Sequence, residues 1–304
     1  MKRILITGSN GLLGQKLAEL LLPRQGVEVL ATSRGENKLA ERLPTLPFRS
    51  MDVTKPEQVE QVISEFRPTH LIHTAAMTNV DQCENDHAGA LLLNRDAVQY
   101  LVGACEKYDV HLVHVSTDFI FDGADGPYDE EAIGNPVNFY GETKLQAEEI
   151  VKQASCKWAI LRTVLVYGVA HDYGRTNIVL WVRDSLQAGK VIKVVTDQLR
   201  TPTLAEDLAM GCWLAVEKDA EGIFHISGSE MMSPYEMAMQ VAEFFALDNS
   251  LIDKADSSTF TQPAKRPART GFYIRKAETQ LGYHPHTFLQ GIQMVAEQAA
   301  QAAP

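Results

Sequence analysis

Three side chains could carry a proton to or from a reacting carbonyl: Thr117 at the polar end of HLVHVST, and Tyr140 and Lys144 in YGETK. A spacing of four puts the phenol and the ammonium on one helix face. A cation held there favours the ionised phenol and lowers a pKa that starts near about 10 in water, which makes the tyrosine a usable acid or base near neutrality. Thr117 stands where a parallel strand of an open α/β sheet presents groups to its ligand. The set suits hydride chemistry on a carbonyl or an alcohol. A Tyr and a Lys four apart are also common on purely structural helices, so what surrounds them decides.

The local pattern places all three. HLVHVST is apolar and β-branched with no Gly or Pro inside, and reads as a buried strand. FDGADGPYDEEAIGNP is dense in Gly, Asp and Pro and reads as loop. Pro136 and Asn138 then precede the helical run YGETKLQAEEIVKQA, which puts Tyr140 and Lys144 in its first turns.

Upstream lies a nucleotide fingerprint. KRILITGSNGLLGQKLAELLL reads as strand, Gly-rich turn and amphipathic helix, with Gly8, Gly11 and Gly14 spaced G-x-x-G-x-x-G. Glycine lets backbone turn tightly, approach a pyrophosphate and pack helix on strand, while the helix N-terminus faces the phosphates. Gly8, Ser9, Asn10, Gly11, Leu12, Leu13 and Gly14 are therefore the expected cofactor loop. The next strand, VEVLATS, ends at Ser33-Arg34. An NAD-type site would place Asp or Glu there; an Arg instead can hold a 2′-phosphate, so NADPH is favoured and NADH remains open. A short strand ending at Asp52-Val53 is positioned to meet the adenine, although a loop Asp can equally bind only backbone. THLIHTAA is another buried strand, whose Ala75 and Ala76, followed by Met77, leave room for a cofactor ribose. Asn94, inside a helical segment, can prop neighbouring backbone.

The 304 residues are 45% hydrophobic and 22% charged, as in a globular protein that buries a large core. The formal net charge of -11 argues against a nucleic acid or an anionic membrane surface as partner, so an anionic ligand must be held locally. Cys83, Cys105, Cys156 and Cys212 are widely spaced and indicate neither a zinc site nor a disulfide framework. No spacing demands a metal. No stretch approaches the roughly 18 apolar residues of a membrane span, and the chain reads as cytoplasmic.

Strand and helix alternate to about residue 168, which predicts a doubly wound parallel sheet of about six or seven strands. Residues 1–168 read as a Rossmann-type dinucleotide-binding domain. Residues 169–304 read mainly as a smaller, interleaved substrate-binding lobe, with strands between about 190 and 230 free to return to the sheet. Lys265, Arg266 and Arg269 could hold a diphosphate or simply face solvent.

These motifs together resemble the extended short-chain dehydrogenase/reductases, and within them the dTDP-4-dehydrorhamnose reductase family. TGSNGLLG resembles its cofactor loop, VSTDFIFDG its active strand and NFYGETKLQAEE its Tyr-Lys helix. LRTVLVYG, TNIVLWV, VVTDQLRTPT, GIFHISG and KRPARTGF resemble further family blocks in order, so nearly the whole chain is covered. The resemblance implies reduction of the C4 ketone of a nucleotide-linked 4-keto-6-deoxy sugar by a nicotinamide cofactor. On matching positions, Tyr140 would protonate the developing alkoxide, Lys144 would bind the nicotinamide ribose and depress the Tyr pKa, and Thr117 would bond the reacting oxygen. Asp118, Phe119 and Asn177 match positions near the sugar, and Arg266 one near the diphosphate.

The chain departs from the family pattern at Leu165, where Trp is frequent, at Arg200, where Gly is usual, and at Ala147, where a Gly stands in T-K-x-x-G-E. These concern the sugar more than the chemistry. Asp118-Phe119 after Ser-Thr, in place of Asp-Glu, counts against dehydration and less against epimerisation. The alternative of another class is a non-catalytic NADP-binding regulatory subunit, since that of methionine adenosyltransferase resembles the same family. Some relatives are dimers, and a homodimer is compatible with the sequence.

Overall fold

A computed structural model describes residues 1–171 and 177–301; most of the polar loop expected after Gly168, residues 172–176, and the end of the Ala/Gln tail, residues 302–304, lie outside the described residues. The first half runs β1 (Lys2–Thr7), α1 (Leu12–Leu21), β2 (Val27–Ser33), β3 (Phe48–Ser50), α2 (Pro56–Phe66) and β4 (His70–His73). After β4 come α3 (Val80–Asn85), α4 (His87–Leu91) and a π-helical stretch over Leu92–Asp96, then α5 (Ala97–Tyr108), β5 (His111–Thr117), α6 (Phe139–Lys152) and β6 (Trp158–Thr163). The rest comprises β7 (Val166–Tyr167), α7 (Ile178–Gln187), β8 (Ile192–Val195), β9 (Thr203–Leu204), α8 (Ala205–Glu217), β10 (Gly222–His225), α9 (Pro234–Phe244), β11 (Ile252–Ala255) and α10 (Phe288–Gln301).

Among the described residues, seven strands form one sheet in the order β10-β6-β5-β4-β1-β2-β3, and every pairing is parallel. The chain order reverses between β1 and β4, so the ligand crevice of such a sheet opens at the carboxyl ends of β1, β4 and β5. The sheet is apolar on both faces because helices cover both. Ile4 and Ile6 of β1 join Leu17 and Leu21 of α1 and Trp213 of α8 in one core layer. Leu5, between them, joins Val59 and Ile63 of α2 and Leu101 of α5 in the other. That alternation within one short strand is what a doubly wound sheet requires.

The C-terminal half divides its strands. β10 returns to the edge of the large sheet, whereas β8 pairs with β11 and β7 with β9 in two small sheets. A third core belongs to this part: Val179 and Val182 of α7, Met237 and Val241 of α9, Val194 of β8 and Ile292 of α10. Ser233 and Glu236 form a capping box that fixes where α9 begins. Among the described residues, no helix is long and apolar enough to cross a membrane.

Candidate active site

The turn after β1 is built for close approach. Gly8 sits at φ +72, and a Cβ on it would lie 2.7 Å from the Ala75 amide nitrogen. A Cβ on Gly14 would run into the Gly8 carbonyl and the Ser9 Cα, so α1 can lie against the turn only because that position is bare. Gly11 caps α1 without a side-chain bond, and the first turn carries no acidic residue, so the helix end keeps open donors and a positive field. Ser9 is buried with its hydroxyl unpartnered.

Asn10 serves a different purpose from its neighbours. Its amide donates to the Glu36 carbonyl at 2.8 Å and its oxygen accepts from the Lys38 amide at 3.1 Å, which ties the glycine turn to the loop that carries Arg34. Leu12 is half-buried, and Leu13 packs on the core. Ser33 closes β2 half-buried and Arg34 is exposed. Burial alone would raise the Asp52 carboxyl, but bonds from the Thr54 hydroxyl and amide, with Arg34 and Lys55 nearby, hold it below its ordinary value. Asp52 Oδ1 is thus held by the Thr54 amide and hydroxyl, and Val53 beside it is core.

Ala75, Ala76 and Met77 follow β4, each half-buried. Asn94, in the π-helical stretch, clasps Met77 from both sides: its oxygen accepts from the Met77 amide at 2.8 Å and its amide donates to the Met77 carbonyl at 3.1 Å. The same amide donates to Thr143 Oγ1 at 3.1 Å, and that hydroxyl donates to the Tyr140 carbonyl at 2.8 Å. The widened helical turn therefore braces the β4 end against α6.

Asn138 accepts a bond from the Gly141 amide and starts α6, which puts Tyr140 in its first turn. Tyr140 is 8% exposed and packs with Cys83 and Ala90, its ring edge-on to Phe119 at 6.0 Å. Lys144 is buried; its Nζ donates to the Val115 carbonyl at 2.8 Å and lies 3.3 Å from His114 Nε2. Thr117 Oγ1 donates to Asp118 Oδ1 at 3.1 Å and accepts from the Phe119 amide at 3.2 Å. Asp118 also accepts from Thr270 and faces Arg200.

One expectation needs correction. The phenol is not lowered in this structure: desolvation pushes Tyr140 well above its ordinary value, with the Asp118 charge adding to the rise and only the Thr117 hydroxyl opposing it. The cation meant to depress it points to the Val115 carbonyl, and burial brings Lys144 itself down to about 8 against the pull of Glu148. Burial, which the spacing of four could not reveal, outweighs the pair.

Asn177 caps α7, accepting from the Val179 and Leu180 amides. It lines a cleft of about 350 Å³ with Leu165, Tyr167, Ile178 and Trp181. A second cleft of about 210 Å³ shares Ile178 and Trp181 and runs to Gln198, Phe260 and Arg266. Arg266 is not free there: it makes bonds of 2.6 and 2.7 Å to the two carboxylate oxygens of Asp81. Lys265 and Arg269 are exposed. The sequence carries no local signal for Trp181, Gln198 or Phe260; Trp181 stands out only in the structure, as an exposed aromatic on α7.

Nucleotide turn, strand end and Tyr-Lys helix thus meet at one crevice. The family described as "RmlD substrate binding domain" matches residues 1–301. The chain belongs to this family, within the extended short-chain dehydrogenase/reductases. A dTDP-4-dehydrorhamnose reductase of Aggregatibacter actinomycetemcomitans is 31% identical over 310 residues, covering 97% of this chain and 98% of that protein. The dTDP-4-dehydrorhamnose reductase of Bacillus anthracis, solved in complex with NADP, superposes with a TM-score of 0.85 at 29% identity, covering 98% of this chain and 99% of that one. Methionine adenosyltransferase 2 subunit beta of Bos taurus is also similar, 30% identical over 91% of this chain and 82% of that protein. RmlD-family membership thus spans both halves of the chain.

Proposed function

We propose that the chain reduces the C4 ketone of a nucleotide-linked 4-keto-6-deoxy sugar with NADPH, in deoxysugar or cell-surface polysaccharide synthesis. The observation that carries the reading is the convergence of Thr117, Tyr140 and Lys144 at the carboxyl end of β5, beside the glycine turn, in a member of this family.

The residues present fit a dinucleotide. The uncapped α1 terminus, the bare positions at Gly8 and Gly14 and the orphaned Ser9 hydroxyl form a cradle that a pyrophosphate completes. Gly8 to Gly14 would hold the phosphates, Ser33 and Arg34 the adenosine ribose and its 2′-phosphate, Asp52 and Val53 the adenine, and Ala75 to Met77 the far ribose. The nicotinamide, when bound, supplies the hydride.

This chain's own groups manage the proton. Burial keeps the Tyr140 phenol protonated, the state a donor to a developing alkoxide must have. Lys144, brought down by burial to about 8, remains mostly cationic at neutral pH, and we assign it to the nicotinamide ribose, toward which its ammonium would have to turn from the Val115 carbonyl. Thr117 owns one proton, which Asp118 accepts in this structure, so bonding the substrate oxygen requires the hydroxyl to turn. We assign Asp118, Phe119 and Asn177 to the sugar. We assign Arg266 to the diphosphate, for which it would exchange Asp81. On this reading residues 1–168 serve the cofactor and residues 169–304 mainly the sugar nucleotide, and the buried free cysteines suit the cytoplasm.

A binding-only role, as for the regulatory subunit, has less support, because a pure binder has no need of all three of Thr117, Tyr140 and Lys144. The direct test uses NADPH bearing deuterium on its transferable nicotinamide position with dTDP-4-keto-6-deoxy-L-mannose. Deuterium at C4 of the sugar product is the expected result; label elsewhere, or none, would overturn the assignment.

A further inference from the structure

The opposite edge of the sheet holds a second constellation. His70 opens β4 and His111 opens β5, and the parallel register sets them side by side. Their rings stack at 5.2 Å with an interplanar angle of 29°. Asp219, at φ +48 in the turn between α8 and β10, brings its Oδ1 to 2.8 Å from His70 Nε2. One ligand atom from each of the three lies within 4.8 Å of the others. The cluster sits at the amino end of β5, about 20 Å along that strand from Thr117, and takes no part in the chemistry above.

Two features distinguish it from an ordinary His–Asp contact. His111 is 5% exposed, and neither ring nitrogen has a hydrogen-bond partner. The Ala220 backbone and the Asp219 and Glu221 charges act on the ring, but none of them gives it a well-formed hydrogen bond, so the buried imidazole lies beside the Asp219 corner with only a marginal partner. His70 Nδ1 lies 2.9 Å from Thr69 Oγ1, whose hydroxyl can in turn donate to the Arg3 carbonyl at 3.1 Å. Without an ion, Nε2–H can donate to the Asp219 carboxylate; with Nδ1–H donating to Thr69 instead, Nε2 would turn its lone pair to an ion held between the two groups. An outer hydrogen bond that fixes ring and tautomer is the usual companion of a metal-ligating histidine.

We propose that His70, His111 and Asp219 bind one zinc-class divalent ion, which pins the α8–β10 corner to the amino ends of β4 and β5. Two imidazoles and one carboxylate suit zinc, with water completing the shell, and not magnesium or calcium, which take oxygen ligands. Ligand bonds of about 2.0–2.2 Å require the three groups to draw inward, and the half-exposed Asp219 side chain is the one free to move. The competitor is Lys2, whose Nζ is 2.8 Å from Asp219 Oδ1 and a quarter exposed, so an arriving ion must displace it toward solvent. Lys157 and Glu221 pair with each other nearby and leave the local charge balanced.

The test titrates the metal-stripped full chain with Zn²⁺ by calorimetry and with Co²⁺ by visible absorption. One ion per chain, tetrahedral Co²⁺ bands and a raised Tm are expected, with no response to Mg²⁺. Asp219→Asn and His111→Gln should each weaken binding by about 10-fold or more, Lys2→Met should tighten it, and Asp219→Asn should leave turnover unchanged. Asp219 is exposed, so its variant stays informative if His111→Gln fails to fold. No binding, or binding that survives Asp219→Asn but disappears when His171 or His286 is replaced, would overturn the proposal.

Discussion

Arg200 Nε stands 3.7 Å from Asp118 Oδ2, and both side chains are buried. The guanidinium also donates to the carbonyls of Leu199, Pro267 and Ala268 and lies over the Phe119 ring. One side chain thus holds the strand end that carries Thr117 to the basic arm at Lys265–Arg269. Burial pushes Asp118 up and Arg200 down, and each charge opposes the other's shift. Arg200→Ala would leave a buried carboxylate unpaired, so we expect a loss of about 3–5 kcal/mol in urea unfolding. Arg200→Lys should recover little of it, because one ammonium cannot span three carbonyls and a carboxylate.

Tyr140→Phe removes the proton donor and keeps the ring that packs on Cys83 and Phe119. Turnover should fall by about 100- to 10,000-fold, while NADPH affinity, read by fluorescence quenching, should barely change. An unaltered kcat would remove Tyr140 from the mechanism.

Lys144 gives a signed pH dependence. Its folded pKa of about 8 lies below the ordinary 10.5, so between those values the unfolded chain binds the extra proton. Stability then rises with pH across that window, and below about 8 the buried charge costs the fold on the order of 3 kcal/mol. Lys144→Met should raise the neutral-pH midpoint in urea and flatten the slope between pH 8 and 10. A variant less stable than the parent at neutral pH would contradict this.

Arg34 is exposed at the end of β2, where no acidic residue stands. A charge-assisted bond to a 2′-phosphate is worth about 1.5–3 kcal/mol, so Arg34→Ala should cut the NADPH-over-NADH preference in kcat/KM by about 10- to 100-fold. A preference that stays put would place 2′-phosphate recognition elsewhere.

Much of the fold was legible because its signals are local. The strand, glycine turn and helix at Lys2–Leu21 and the Asn138 cap before Tyr140 are each written within a few consecutive residues. What the sequence hid is long-range. Arg266 meets Asp81 across 185 positions, and Asp118 meets Thr270 across 152. His70, His111 and Asp219 come together only through register and a helix corner, so no spacing announced them. The direction of the Tyr140 pKa failed for a related reason: the pair of charges was visible, and the burial that outweighs it was not.

The central claim is most directly tested by following loss of reduced-nicotinamide absorbance when the purified chain meets NADPH and dTDP-4-keto-6-deoxy-L-mannose, with NADH run in parallel. We predict rapid oxidation that requires the sugar, is faster with NADPH and is abolished by Tyr140→Phe. NADPH binding without any sugar-dependent oxidation would contradict the reductase assignment for this substrate.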